Sequence, residues 1–271
     1  MIKDTKDILS ILFSYRRLLL EMTKRDISDR YAGQAFGKVW AVIQPIMTIS
    51  VFVLVFGVIF RVKADVLNIG SIPADHTAYM LSGLIPWIII ADVLGRSPGL
   101  IIGQAQLVKQ VVFPLEILPV KMVLATIPTY LICMLGVFIY FFIAYGDMPI
   151  TFLGIIPVSF VLYITLLGIA FFISSIGVFL RDIKDIIAMY TLVGLYLAPI
   201  FYFIEWVPKK LSFLIYINPT TYIINCFHDV FYYGFSLGYF NWIIASTLAL
   251  LTFILGCVCF NKSKHIFGNF L

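Results

Sequence analysis

Gly95-Arg96-Ser97-Pro98-Gly99 has the letters of a nucleophile elbow, Gly-x-Ser-x-Gly, in which a strained strand-to-helix turn exposes a serine for acyl transfer. That chemistry needs a histidine and an acid converging on the serine. The three histidines (His76, His228 and His265) are scattered along the chain, and the segment is flanked by apolar runs of helical length. Gly95, Gly99 and Gly103 read instead as a small-x-x-x-small series, which lets helices approach closely. The stretch from Gly33 to Lys38, with glycines at 33 and 37, is one residue short of a phosphate-cradling Gly-x4-Gly-Lys-Ser/Thr loop and ends at Val39, where an apolar run opens. Cys257 and Cys259 have no companion pair to complete a zinc site. With Cys133 and Cys226 they read as small packing residues. No catalytic and no metal-ligating residue is assigned.

The elements around these residues explain why enzymatic readings fail. The chain has 271 residues, of which 62% are hydrophobic and 12% charged, with a mean hydropathy of +1.03. Soluble domains carry about 25% charged residues, so a water-soluble fold is excluded. Uncharged runs long enough to cross a bilayer as helices predict spans at about 39–60, 77–95, 118–146, 150–180, 186–204 and 240–260. They are continuously apolar rather than alternating, which excludes a strand barrel. Residues 207–235 contain Asn218-Pro219-Thr220-Thr221, and proline lacks the amide donor a helix interior needs. A re-entrant helical hairpin on the outer side fits this stretch better than a seventh span.

Charge sets the orientation. Eight of the 19 Lys and Arg lie in the first 38 residues, mixed with acids, so they form no polybasic nucleic-acid arm despite the net charge of +5. Six spans from a cytoplasmic N-terminus place those eight inside, together with Arg96, Lys109, Lys121, Arg181, Lys184, Lys262 and Lys264. Only Arg61, Lys63, Lys209 and Lys210 remain outside. Cytoplasmic loops of membrane proteins are enriched in Lys and Arg, so both termini are expected in the cytoplasm. The polar start also argues against a cleaved signal peptide. Residues 1–38 form a cytoplasmic interfacial segment, in which apolar Ile8, Leu12, Leu18, Leu19 and their neighbours alternate with Lys6, Arg16 and Arg17; that pattern suits a helix lying in the headgroup layer. The span centres lack ionisable residues, which speaks against an ion-coupled carrier. It speaks equally against a membrane-embedded acyl- or glycosyltransferase, whose cavity needs convergent polar groups.

Several segments, read in order, carry a family resemblance. They are Arg25-Asp26-Ile27-x-x-Arg30-Tyr31 followed by Gly37-x-x-Trp40 and Pro45; Gly83-Leu84-Ile85-Pro86-Trp87; Leu107-Val108-Lys109-Gln110-Val111-Val112-Phe113-Pro114-Leu115-Glu116; Phe179-Leu180-Arg181-Asp182; and Ala198-Pro199-Ile200-Phe201-Tyr202 with Asn218-Pro219 beyond it. Together they resemble the membrane subunits of ABC type-two polysaccharide exporters, the permeases of O-antigen, capsule and teichoic acid, over nearly the whole chain. Leu115 departs from the family, which commonly has Arg after Phe-Pro.

The resemblance implies an all-α integral membrane domain over residues 1–271 that forms a homodimer and recruits two copies of an ATP-binding cassette subunit. ATP and Mg would sit on that partner, with no cofactor on this chain. The substrate implied is a polysaccharide linked to undecaprenyl diphosphate, O-antigen above all, moved across a bacterial cytoplasmic membrane. A teichoic acid or capsular polysaccharide exporter, or an ABC type-two drug or lipid exporter, is the alternative. By the same resemblance Arg25, Asp26, Arg30 and Tyr31 belong to the substrate entrance, and Gln106, Leu107, Val108, Lys109, Val111 and Phe113 to the helix that couples to the ATPase. Phe52, Phe56, Phe60, Tyr196, Phe201 and Tyr202 would line the pore with rings on which sugars stack.

Overall fold

The computed structural model describes residues 2–60, 75–110, 113–146, 150–234 and 239–271. Val111, Arg61 and Lys63 lie outside the described residues. All regular elements among those described are helical, and the protein is an all-α integral membrane protein.

Two helices, α1 (Ile2–Ser14) and α2 (Arg16–Asp29), precede α3 (Trp40–Phe52), which runs on as a π-helical segment, Val53–Ile59. Then follow α4 (His76–Arg96), the short α5 (Ala105–Gln110), α6 (Ile117–Leu124), α7 (Ile127–Tyr145), α8 (Ile155–Phe179) and α9 (Ile183–Leu197). The chain closes with α10 (Ser212–Ile217), α11 (Pro219–His228), α12 (Tyr239–Ser263) and α13 (Phe267–Phe270). Five stretches are long and apolar enough to cross a bilayer: Trp40–Ile59, His76–Arg96, Ile117–Tyr145, Ile150–Phe179 and Tyr239–Phe270. The remaining long apolar helix, α9, has 15 residues, about 22 Å at 1.5 Å per residue. It stops at Leu197 because Pro199 forces Ala198 into an extended conformation (φ −73°, ψ 143°).

α4 is the central helix, with 78% of its apolar window buried against 11% for α3. α8 and α12 pack along their whole lengths, and two glycines permit it. A methyl group on Gly168 would stand 2.5 Å from the Phe253 amide nitrogen and the Thr252 carbonyl carbon, and one on Gly256 would overlap the Gly168 carbonyl oxygen. Gly95, Gly99 and Gly103, the series expected to bring helices together, meet nothing within 4 Å. They sit at the end of α4 and in the turn after it, with open space where a side chain would stand.

The two termini share one face. There Ile8 and Leu19 of the first two helices pack with Ile117, Phe171, Phe260 and Phe267 in a second apolar core. The lead-in helices therefore bury part of their apolar side against the protein, while Phe13, Leu18 and Leu20 remain exposed. At the opposite face, α11 is sunk between α4 and α12. Its start is dictated locally. Pro219 opens the helix where no amide donor is needed, and the Asn218 side-chain oxygen accepts from the Thr220 amide at 3.2 Å. The same oxygen accepts from Tyr190 Oη at 2.8 Å, tying the break to α9.

Candidate functional site

On the terminal face, the last turns of α2 and α4 each carry an acid followed four residues later by an arginine: Asp26 with Arg30, and Asp92 with Arg96. Spacing by four puts both members on one helix face. The helices then exchange partners. Arg96 Nη2 donates to Asp26 Oδ2 at 2.5 Å, and Arg30 Nη2 donates to Asp92 Oδ2 at 3.2 Å. Lys121 of α6 stands 3.7 Å from Asp26 Oδ1. Three cations thus face two carboxylates, an excess of one positive charge. Arg30 Nε and Arg96 Nη1 are buried and have no hydrogen-bond partner among the described residues, so the network keeps donors in reserve.

Arg30, Asp92 and Arg96 of this network border a cavity of about 440 Å³, whose walls also include Tyr31, Gln34, Gln44 and Thr48. Arginine forks and amide donors around an anion-sized opening suit phosphate oxygens. Of the four expected entrance residues, Arg30 and Tyr31 line the cavity, and Asp26 stands behind it. Asp26 acts as the acceptor that holds Arg96 in place. Arg25 points away: its side chain is 83% exposed and pairs with Asp29 at 3.3 Å. Asp92 and Arg96 escaped sequence reasoning as members of this site. The repeated acid-x-x-x-Arg spacing at two helix ends was the available signal. The Gly33 to Lys38 stretch is a turn, with glycines 33 and 37 in the left-handed region (φ 79° and 50°). Ser97 Oγ donates to the Val93 carbonyl of its own helix at 2.6 Å.

Towards the opposite face, the aromatic residues expected to line a pore largely meet. Phe201 stacks on Phe52 and Phe56 at 5.3 and 5.2 Å between centroids, Phe60 meets Phe56 edge-on at 5.7 Å, and Tyr196 lies 6.0 Å from Phe201. Phe60 and Tyr196 are largely exposed. Tyr202 turns back instead, donating from Oη to the Leu197 carbonyl at 2.9 Å. The group is extended by His76, which stacks on Trp206 at 6.0 Å and lies 6.0 Å from Phe56.

The expected coupling segment contains α5. Gln106 and Lys109 are exposed, whereas Leu107 is half-buried and Val108 and Phe113 lean on the apolar core of the terminal face. α13 packs beside α5, and Lys264 Nζ donates to the buried Glu116 carboxylate at 2.6 Å. Arg181, Asp182, Lys184 and Asp185 form the other charged turn on this face and are exposed.

A multi-pass helical bundle with a cationic cavity at one face and stacked rings towards the other has the layout of a transport protein. The chain belongs to the ABC-2 type transporter family, whose model matches residues 17–232. It is similar to two proteins from Klebsiella pneumoniae, each described as an O-antigen export system permease protein RfbA. One is 29% identical over 94% of this chain and 95% of the relative, and the other 27% identical over the same shares. A protein of the same description from Myxococcus xanthus is 25% identical over 82% of each chain.

Proposed function

We propose that this chain is the permease subunit of an O-antigen exporter, which passes a polysaccharide linked to undecaprenyl diphosphate across the cytoplasmic membrane. The carrying observation is the near end-to-end likeness to O-antigen export permeases in two genera. The cationic cavity supports it, because a lipid-linked diphosphate entering from the cytoplasm would meet Arg30 and Arg96 first. In this reading the terminal face is cytoplasmic. Two protomers form the pore, each contributing the uncovered faces of α3, its π-helical continuation and α9, on which Val51, Leu54, Met189 and Leu192 are exposed. A separate ATP-binding cassette subunit, two copies per dimer, docks on the exposed residues of α5 and drives transport by its own hydrolysis. The pore rings offer apolar faces to sugar C–H groups without strong hydrogen bonds that would arrest a moving chain.

The test is mild-detergent purification from native membranes with stoichiometry of the co-purifying proteins. A soluble ATP-binding subunit at one-to-one ratio is the expected result; a chain recovered alone and stable would refute the reading. Replacing Gln106 and Lys109 by alanine should release that subunit without affecting membrane insertion, since both side chains are exposed and carry no packing. Retained association would remove α5 from the docking surface.

A second expectation concerns the cavity. Arg30→Ala with Arg96→Ala should lower surface polymer at least tenfold while the protein remains in the membrane. Two lost charge-assisted contacts to a diphosphate are together worth more than the roughly 1.4 kcal/mol that a tenfold change needs. Arg30→Lys should recover only part of the loss, because a point charge cannot bind two phosphate oxygens in parallel. Normal surface polymer in the double variant would refute the entrance role.

A further inference from the structure

On the face opposite the termini, a second cavity of about 180 Å³ opens between the end of α11, the 204–206 turn and the start of α12. Its chemistry differs from that of the cationic cavity. Asn225 and Asn241 supply carboxamides, Glu205 and Asp229 supply carboxylates, and Tyr216 presents a partly exposed ring. Among the described residues, no lysine, arginine or histidine lines it. Asn225 is only 6% exposed and its side chain borders the cavity. Its carboxamide can both donate to and accept from a molecule that enters. Asp229 is held in place, with one carboxylate oxygen accepting from the Trp242 indole N–H at 3.1 Å.

We infer that this cavity is a subsite for one neutral sugar ring, and that it disfavours uronic and phosphorylated sugars. The inference rests on the reading of the chain as a glycan permease and adds to it a place and a preference. Sugar hydroxyls both donate and accept. Carboxylates take the donated hydrogens, amide N–H groups supply the return bonds, and a tyrosine ring covers the C–H face. The volume, roughly that of six waters, holds one ring and not an oligomer. Anionic sugars are disfavoured because the wall offers two acids and no compensating cation, and an anion placed beside them without a partner loses solvation and is repelled. The site lies beside the aromatic group of α3 and Phe201, through the Glu205-Trp206 turn and the Trp206–His76 stack. A sugar leaving the rings would therefore reach it next.

Saturation-transfer NMR on the full-length chain in detergent tests this, with methyl β-D-glucopyranoside and methyl α-D-mannopyranoside as neutral probes and methyl β-D-glucuronide as the anionic one. The neutral glycosides should show transfer and the glucuronide little. Asn225→Leu, similar in volume, should weaken neutral binding at least tenfold. Glu205→Gln, on an exposed turn that does not support the fold, should narrow the gap between the neutral and anionic probes. Absence of transfer in the unaltered chain, equal transfer from the glucuronide, or transfer unaffected by both substitutions would each overturn the subsite. Depleting the chain in cells and following surface polymer reads the permease assignment separately. If glycosides bind as expected but export survives depletion, the permease reading fails and the subsite stands. If export stops on depletion and no glycoside binds, the subsite alone fails.

Discussion

Gly168→Leu or Gly256→Leu should abolish accumulation of folded protein in the membrane. At the α8–α12 crossing the backbones approach so closely that even a single methyl would overlap main-chain atoms of the facing helix. A flexible side chain in the way could swing aside, but an amide nitrogen and a carbonyl oxygen cannot. The helices would have to separate along the most extensive contact in the bundle. Adding methylenes to a packed core costs about 1–3 kcal/mol where side chains can adjust. Here that range is a lower bound, set against a total stability of about 5–15 kcal/mol. Chain separation in a bilayer gains nothing from hydrophobic burial, since lipid tails are as apolar as leucine, so close backbone packing carries the association. The monodisperse fraction after detergent extraction measures the effect. Gly95→Leu and Gly103→Leu serve as controls with open space at both sites and should extract normally. A Gly168→Leu protein as abundant and monodisperse as the parent would show that this contact is dispensable.

The second large effect is expected at Lys264. Lys264→Met removes the only cation within ion-pair distance of Glu116 among the described residues, whose side chain is 2% exposed. Removing one partner of a buried pair costs about 3–5 kcal/mol because the remaining charge is stranded. The low end applies, since Lys264 keeps 21% of its side chain in contact with solvent. The damage should be local, loosening the 264–266 turn and the C-terminal residues after it from the start of α6 and exposing the C-terminus to carboxypeptidase. Combining Lys264→Met with Glu116→Gln should restore most of the protection, because a neutral amide leaves no stranded charge. A double variant as labile as the single one would mean that the ammonium acts on something other than Glu116.

The legible parts of this protein are those decided within a few residues. Continuous apolar runs become helices because backbone groups in hydrocarbon must be satisfied within their own segment. The break at Asn218-Pro219 follows from a missing amide hydrogen and a capping oxygen adjacent in the chain. Phe52, Phe56 and Phe60 could be placed on one side of their helix from spacing alone. The segments that carry the family likeness were also visible residue by residue, since a motif is a local pattern.

What could not be read depends on distant groups meeting. Arg25 and Arg30 look alike in sequence, yet one is solvated and the other enters the cavity, because only the latter is within reach of Asp92 on another helix. Tyr202 and Phe201 are neighbours, and their rings part where the chain turns after Pro199. The glycines that bring helices together proved to be Gly168 and Gly256 rather than the regular series at 95, 99 and 103, since spacing marks where a helix is smooth but not whether a second helix crosses there. Composition and local pattern determined that this chain is a helical membrane protein, where its helices break and which family it resembles. The pairing of Asp26 with Arg96 across 70 residues, the burial of Glu116 against Lys264 and the polar cavity between the 204–206 turn, α11 and α12 were decided by tertiary packing. Charge pairing and cavity shape depend on distances through space, which sequence separation does not encode.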